Sequence, residues 1–251
     1  MSEVKKRKIH SSPSVNVDYG LIEQLNQIIL LFVPKGENTT TANDNINPLL
    51  ISFIESRNLP KILSIWSYYS STNDFHNLID ISIKLSKITF QIDQIKSYLS
   101  IPIKQLINEF YKQILNNSQY MKIIYRALNN MKPSITIANI RILINMIKFD
   151  PLIIGQEFLN GFDLTLNVLP KLLIPKKYEL ETEANSLSAN ESFQASTIRS
   201  NFIRFWFELC SNVSFIHRQD LLLNHRKILN NIWKYLSIDS IELIEFIIDF
   251  I

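Results

Sequence analysis

The sequence predicts an all-α fold, and three observations carry that prediction. Apolar residues recur at spacings of three and four along almost every segment between loops, the period of one face of an α-helix. Only four glycines occur in 251 residues, too few to supply the positive-φ positions that sandwiches, propellers and nucleotide-cradling loops need. Tight turns marked by Pro and Asn separate the periodic segments. Isoleucine is abundant and favours strands on paper, but its spacing here is helical, and the period decides.

Composition narrows the class further. A chain of this length can bury a real core, as one large domain or as part of a longer array. The 46% hydrophobic fraction is ordinary for a globular protein, and a net charge of +3 is too weak to announce nucleic acid by itself. One cysteine, Cys210, excludes an internal disulfide framework and fits a reducing compartment. The first residues lack an apolar signal core, and no uninterrupted apolar run approaches the roughly 18 residues of a membrane span. The Asn-x-Ser/Thr matches at Asn38, Asn116, Asn190 and Asn212 therefore read as chance.

Taken in order, residues 1–17 form a polar tail expected to be disordered, with the basic run Lys5, Lys6, Arg7 and Lys8. That run fits nuclear import or contact with RNA phosphates, and equally a merely solvated tail. Asp18 caps a first helix whose apolar face is Leu21, Ile22, Leu25, Ile28, Ile29 and Phe32, ended by Pro34. A polar loop over 35–46 follows, and Asn47-Pro48 restarts the chain as cap plus first helical residue. This helix spans 48–57, is broken at Asn58-Leu59-Pro60, and is followed by a short helix with Ile62, Leu63, Ile65, Trp66 and Tyr69 inward. Residues 74–99 carry Leu78, Ile81, Leu85, Ile88, Ile92, Ile95 and Leu99 at alternating spacings of three and four. Such a seam suits a coiled coil. The flanking Ile79, Ile83 and Phe90 widen it, and favour a long helix, bent near residues 89–93, lying against a neighbouring pair. After Pro102 comes a helix with Ile103, Leu106, Ile107, Phe110 and Ile114 inward.

Residues 118–170 are the most constrained stretch. A first helix places Met121, Ile124, Tyr125 and Leu128 opposite Lys122, Arg126 and Asn129; a turn at 129–134 follows, with Ser134 or its neighbour as the next cap. Residues 134–149 are apolar almost all round, apart from a stripe of Arg141, Asn145 and Lys148. A helix with so thin a wet edge must be covered by neighbours on most of its circumference. Asp150-Pro151 ends it and opens another helix over 152–160; Gly161 interrupts, and 164–173 follow with Pro170 near their end. Three or four helices in about fifty residues, joined by tight turns, is the grain of an armadillo- or HEAT-like α-solenoid of helical hairpins.

Residues 176–196, with Glu179, Glu181, Glu183 and Glu191, read as a disordered acidic and polar loop between helical regions 18–175 and 197–251. Beyond it, Ile198, Phe202, Phe205, Trp206, Leu209 and Val213 make one helical face, and residues 221–236 another. Residues 240–251 are apolar at Ile241, Ile244, Ile247, Ile248 and Ile251 and lack a C-terminal cap, as expected of the N-terminal part of a longer array.

Signals of catalysis are nearly absent, so the expectation is a protein that is not an enzyme and holds no cofactor and no metal. No phosphate-binding glycine loop or nucleophile-elbow pattern occurs. His217 and His225 lie eight apart, but with one cysteine and no regular carboxylate partner they do not make a metal site. The glutamates of 179–183 solvate a loop rather than form a catalytic pair. Arg126, Arg141 and Lys148 are candidates for a polar surface meeting RNA or an acidic partner, against the reading that they are a solvated edge. Trp66, Trp206 and Trp233 sit on apolar faces and read as core.

Several short runs carry a resemblance. Ile124-Tyr125-Arg126-Ala127-Leu128, Lys132-Pro133-Ser134, Phe162-Asp163 and Leu169-Pro170-Lys171-Leu172-Leu173 come in order, followed by residues 198–205 and Asp239. Over roughly residues 48–251 the chain resembles the N-terminal domain of the nucleolar pre-ribosomal-associated protein 1 family. The resemblance implies a large helical-repeat scaffold of the nucleolus acting early in 60S ribosomal subunit biogenesis. It implies contacts with pre-rRNA, snoRNA and assembly factors including a DEAD-box helicase, and it carries over no catalytic residue. The alternative is a generic armadillo-like protein-interaction adaptor outside the nucleolus.

Overall fold

The computed structural model describes residues 17–31, 47–130, 133–151, 189–212, 226–236 and 241–250, and among these every regular element is helical. In chain order they are α1 (Tyr19–Leu30), α2 (Pro48–Glu55), α3 (Asn58–Ser71), α4 (Phe75–Ile95), α5 (Ile101–Asn116), α6 (Ser118–Asn130), α7 (Pro133–Phe149), α8 (Ala189–Asn212), α9 (Arg226–Lys234) and α10 (Ile241–Phe250). The fold is all-α.

Local chemistry sets the helix starts. The Asp18 carboxylate accepts from the Leu21 amide at 3.1 Å, satisfying one of the donors a helix leaves open at its first turn. Asn47 does the same for Leu49 at 3.0 Å, with Pro48 as first helical residue. The break expected at residues 58–60 lies instead at Ser56 and Arg57, where Arg57 adopts the left-handed conformation (φ 53°). Pro60 then falls within the first turn of α3, where a missing N–H leaves no bond unmade. Asn73, at φ 57°, makes the next joint, and Asp74 caps α4 by accepting from the Asn77 amide at 3.2 Å. Ser134 is not a cap, because α7 already begins at Pro133.

Each helix packs on its chain neighbours over much of the fold: α2 on α3, α3 on α4, α5 on α6, α6 on α7. A second pattern crosses the first. α1 packs on α4, α2 on α5, α3 on α6 and α4 on α7, so each helix lies beside the one three places along. α7 is the most enclosed. α4 and α8 flank it, α6 precedes it, and only Ser134 and Arg141 along it are exposed.

The core follows the sequence period closely. Leu21, Leu25 and Ile28 of α1, the five named apolar residues of α3, and Ile103, Ile107, Phe110 and Ile114 of α5 are all buried. α4 continues without interruption through residues 89–93, and its stripe from Leu78 to Ile95 is buried against helices of the same chain. Trp66 and Trp206 are fully buried, and the Trp66 indole donates to the Ser82 hydroxyl at 3.0 Å. Trp233 departs from the reading as core: it is 50% exposed, because the inward face of α9 is set by Ile228 and Ile232. On α10 Leu243 and Ile247 are buried, whereas Ile241 and Ile248 face outward. α8 begins at Ala189, so residues 189–196 are helical rather than part of a loop; in the sequence, Phe193 is the only large apolar residue among them, too few to set a helical period.

Buried polar groups tie these helices together. The Asn145 amide of α7 donates to the Ser86 carbonyl (3.3 Å) and the Thr89 hydroxyl (3.0 Å) of α4. The Gln91 amide of α4 donates to the Ile28 carbonyl of α1 at 3.5 Å, which also accepts from Asn47 at 3.2 Å. Thr136 donates to the Ala127 carbonyl of α6 at 2.6 Å. Arg199 of α8 is 1% exposed and donates to the carbonyls of Asn231 (3.4 Å) and Ile232 (3.0 Å) in the last turn of α9. A cation is well placed there, where carbonyls without helical partners concentrate negative charge. The Tyr111 hydroxyl is buried with no hydrogen-bond partner. Burial, and secondarily the charge of Asp93, push its pKa well above the ordinary value.

Candidate functional site

Side chains from three helices, α4, α7 and α8, converge along the polar edge of α7. On α7 itself Arg141, Asn145 and Lys148 follow one another at helical spacing, with Ile144 beside them. Lys87 and Phe90 of α4 stand on one side, and Asn201, Arg204 and Glu208 of α8 on the other. Phe246 of α10 closes the rim, and the groove so formed has a volume of about 410 Å³. Its spacing explains the convergence. Residues 201, 204 and 208 are three and four apart, so they share the face of α8 opposite the fully buried Phe202 and Trp206.

Four cations face one carboxylate across this groove. Lys148 pairs with Glu208 at 3.5 Å, linking α7 to α8. Arg141 donates from Nε to the Asn201 amide oxygen at 3.4 Å, and the Arg204 guanidinium lies 5.3 Å from the centre of the Phe246 ring. Phe246 in turn packs against Phe207, with ring centres 5.7 Å apart. Lys87, Arg141 and Arg204 are exposed, and Phe90 is 44% exposed. The site is thus an electropositive groove with an apolar component, suited to holding an anion.

The sequence candidates divide three ways. Arg141 and Lys148 both line the groove, whereas Arg126 is exposed on α6 and stands apart from it. Asn145, read with them as part of a solvated edge, is 6% exposed; its amide is turned onto α4, so the wet stripe is interrupted. Lys5, Lys6, Arg7 and Lys8 lie outside the described residues, as do His217, His225 and the glutamates of 179–183. Sequence reasoning missed Lys87 and Arg204. The spacing of Asn201, Arg204 and Glu208 signalled a second polar stripe, but not that it would face the first. Among the described residues no group of three His, Cys, Asp or Glu is placed to hold a metal ion, and no helix is long and apolar enough to cross a membrane.

Comparison with known proteins agrees with the resemblance carried by the short runs. Over 232 residues the chain is 32% identical to nucleolar pre-ribosomal-associated protein 1 of Saccharomyces cerevisiae, an alignment that covers 91% of this chain and 12% of that protein. The chain therefore spans about an eighth of the length of that relative. No solved structure matches. The model of the family described as ribosome 60S biogenesis, N-terminal, matches residues 59–251, and the chain belongs to that family.

Proposed function

We propose that this chain is part of a non-enzymatic nucleolar scaffold that acts early in 60S subunit assembly. In this reading it binds assembly factors, a DEAD-box helicase among them, and contacts pre-rRNA and snoRNA. Membership of a 60S biogenesis family is the observation that carries it. The name of the yeast relative, nucleolar and pre-ribosomal-associated, supports the compartment. An armadillo-like array is the architecture that goes with it. What supports that is the packing of each helix from α4 to α7 on the one three places earlier, the step expected when three-helix units stack on one another.

The test is fractionation and imaging of the tagged native protein. Co-sedimentation with pre-60S particles, nucleolar signal, and a fall in free 60S relative to 40S subunits on its depletion are the expected results. Cytoplasmic or vesicular signal with no pre-60S association would instead favour an adaptor outside the nucleolus.

A further inference from the structure

The groove beside α7 is specific enough in its chemistry to name an occupant class. We propose that it docks an acidic peptide segment of a partner protein, with carboxylates on Lys87, Arg141 and Arg204 and an apolar side chain against Phe90 and Ile144. This rests on the scaffold reading above and says what one surface of the scaffold holds.

Several observations select a peptide. The three exposed cations come from α4, α7 and α8 and surround the groove rather than running along one line, as a tracked phosphate backbone requires. Glu208 sits among them. Its carboxylate is paired with Lys148 at 3.5 Å, so the net charge that the rim presents to an incoming anion is that of the three exposed cations. The Phe246 ring is engaged by Arg204 and Phe207, which leaves Phe90 as the one exposed ring among the groove residues, whereas single-stranded nucleic acid is held by several rings that stack successive bases. A volume of about 410 Å³ holds a few side chains, and its mixed lining suits an acidic residue next to an apolar one. Arginine is the cation of choice here, because its fork grips a carboxylate with two parallel bonds. The guanidinium of Arg141 uses only Nε in its bond to Asn201.

The experiment is fluorescence anisotropy on the whole 251-residue chain with three labelled probes. These are a decapeptide of Glu and Asp around a central Leu-Phe pair, its Gln/Asn counterpart, and a ten-nucleotide oligouridylate. Saturable binding of the acidic peptide is expected, roughly tenfold or more tighter than its neutral counterpart, as like-for-like loss of complementary charge predicts. Arg141→Ala combined with Arg204→Ala should weaken it by a similar factor with an unchanged unfolding midpoint, and Arg126→Ala should leave it alone. Should the double variant unfold, Lys87→Gln, which touches only a solvent-facing side chain, gives the same reading with a smaller loss. Absence of saturable peptide binding, or peptide binding indifferent to the groove substitutions, overturns the proposal. So does an oligouridylate that binds more tightly than the peptide and is released by the same variants. Groove-dependent peptide binding without pre-60S association would retain the site and remove the ribosomal role; the reverse result would remove the site alone.

Discussion

Replacing Asn145 by Leu distinguishes a buried tie from a wet edge, because the two descriptions of this residue predict different stabilities. If Asn145 were solvated, the change would fall within about 0.5 kcal/mol of neutral, as surface substitutions do. In the structure its amide makes two buried bonds to α4, at 3.0 and 3.3 Å. Each is worth about 0.5–1.5 kcal/mol net. The Ser86 carbonyl keeps the Thr89 hydroxyl at 3.0 Å when the amide is gone, so only part of the bonding is orphaned. A loss of about 1–2 kcal/mol follows. Leu143→Asp is the comparison: Leu143 is fully buried two residues away, and the variant forfeits apolar burial and inserts an unpaired carboxylate. It should lose about 3–5 kcal/mol. Urea unfolding followed by far-UV circular dichroism, with Trp66 and Trp206 fluorescence as the tertiary signal, gives both values on one scale. A cycle with Thr89→Val should show a coupling of about 1 kcal/mol. Equal losses for Asn145→Leu and Leu143→Asp, or strict additivity of Asn145→Leu with Thr89→Val, would refute this account of α7.

Other outcomes follow from single groups. Tyr111→Phe removes a hydroxyl that has no partner, so stability should stay level or rise by about 1 kcal/mol, and a clear drop in Tm would show that the hydroxyl is bonded. The folded protein holds the Tyr111 proton more tightly than the unfolded chain, so stability should fall as pH rises beyond the ordinary value of 10.0, and less so in Tyr111→Phe. Arg199→Met keeps the aliphatic stem but leaves two carbonyls of α9 without their donor, an expected loss of about 2–4 kcal/mol after relief of the buried cation is allowed for. Arg199→Lys should fall between the two, and amide exchange in α9 that is no faster in Arg199→Met than in the parent would count against the tie. Hydrogen bonds from the Asn77 side chain and backbone hold the Asp74 carboxyl below its ordinary 3.8. Its contribution is therefore present above that value and lost as pH falls through the lower folded one, so the Tm gap between Asp74→Ala and the parent should close in acid.

Period and caps made much of the fold legible. Leu78 to Ile95, Ile103 to Ile114 and the enclosure of residues 134–149 all follow from which side of a helix is apolar, and Asp18 and Asn47 mark starts by chemistry that acts within three residues. Neighbourhood was the part that a single helix does not encode. Asn145 looks the same beside Arg141 and Lys148 whether water or α4 covers it, and a lone Arg199 beside Ile198 gives no sign of the helix end it meets more than thirty residues away. Trp233 fails for the same reason: a ring at the edge of an apolar stripe is core only if a partner reaches it. The groove is the extreme case, since Lys87, Arg141, Arg204 and Phe246 come from four helices and nothing local to any of them names the others.

The amides of Gln91 and Asn145 act as indexing pins. α1, α4 and α7 form one row, faced mostly by Ile and Leu, and such faces fit almost as well when one helix slides a full turn, about 5.4 Å, along the next. A slide of that size would strip the Gln91 amide from the Ile28 carbonyl and the Asn145 amide from Ser86 and Thr89, stranding donors inside hydrocarbon. Their weight thus falls on which alignment is adopted more than on how strongly the helices adhere. For the scaffold role proposed above, which requires distant surfaces held at fixed separations, alignment is the property that has to be carried from one row to the next.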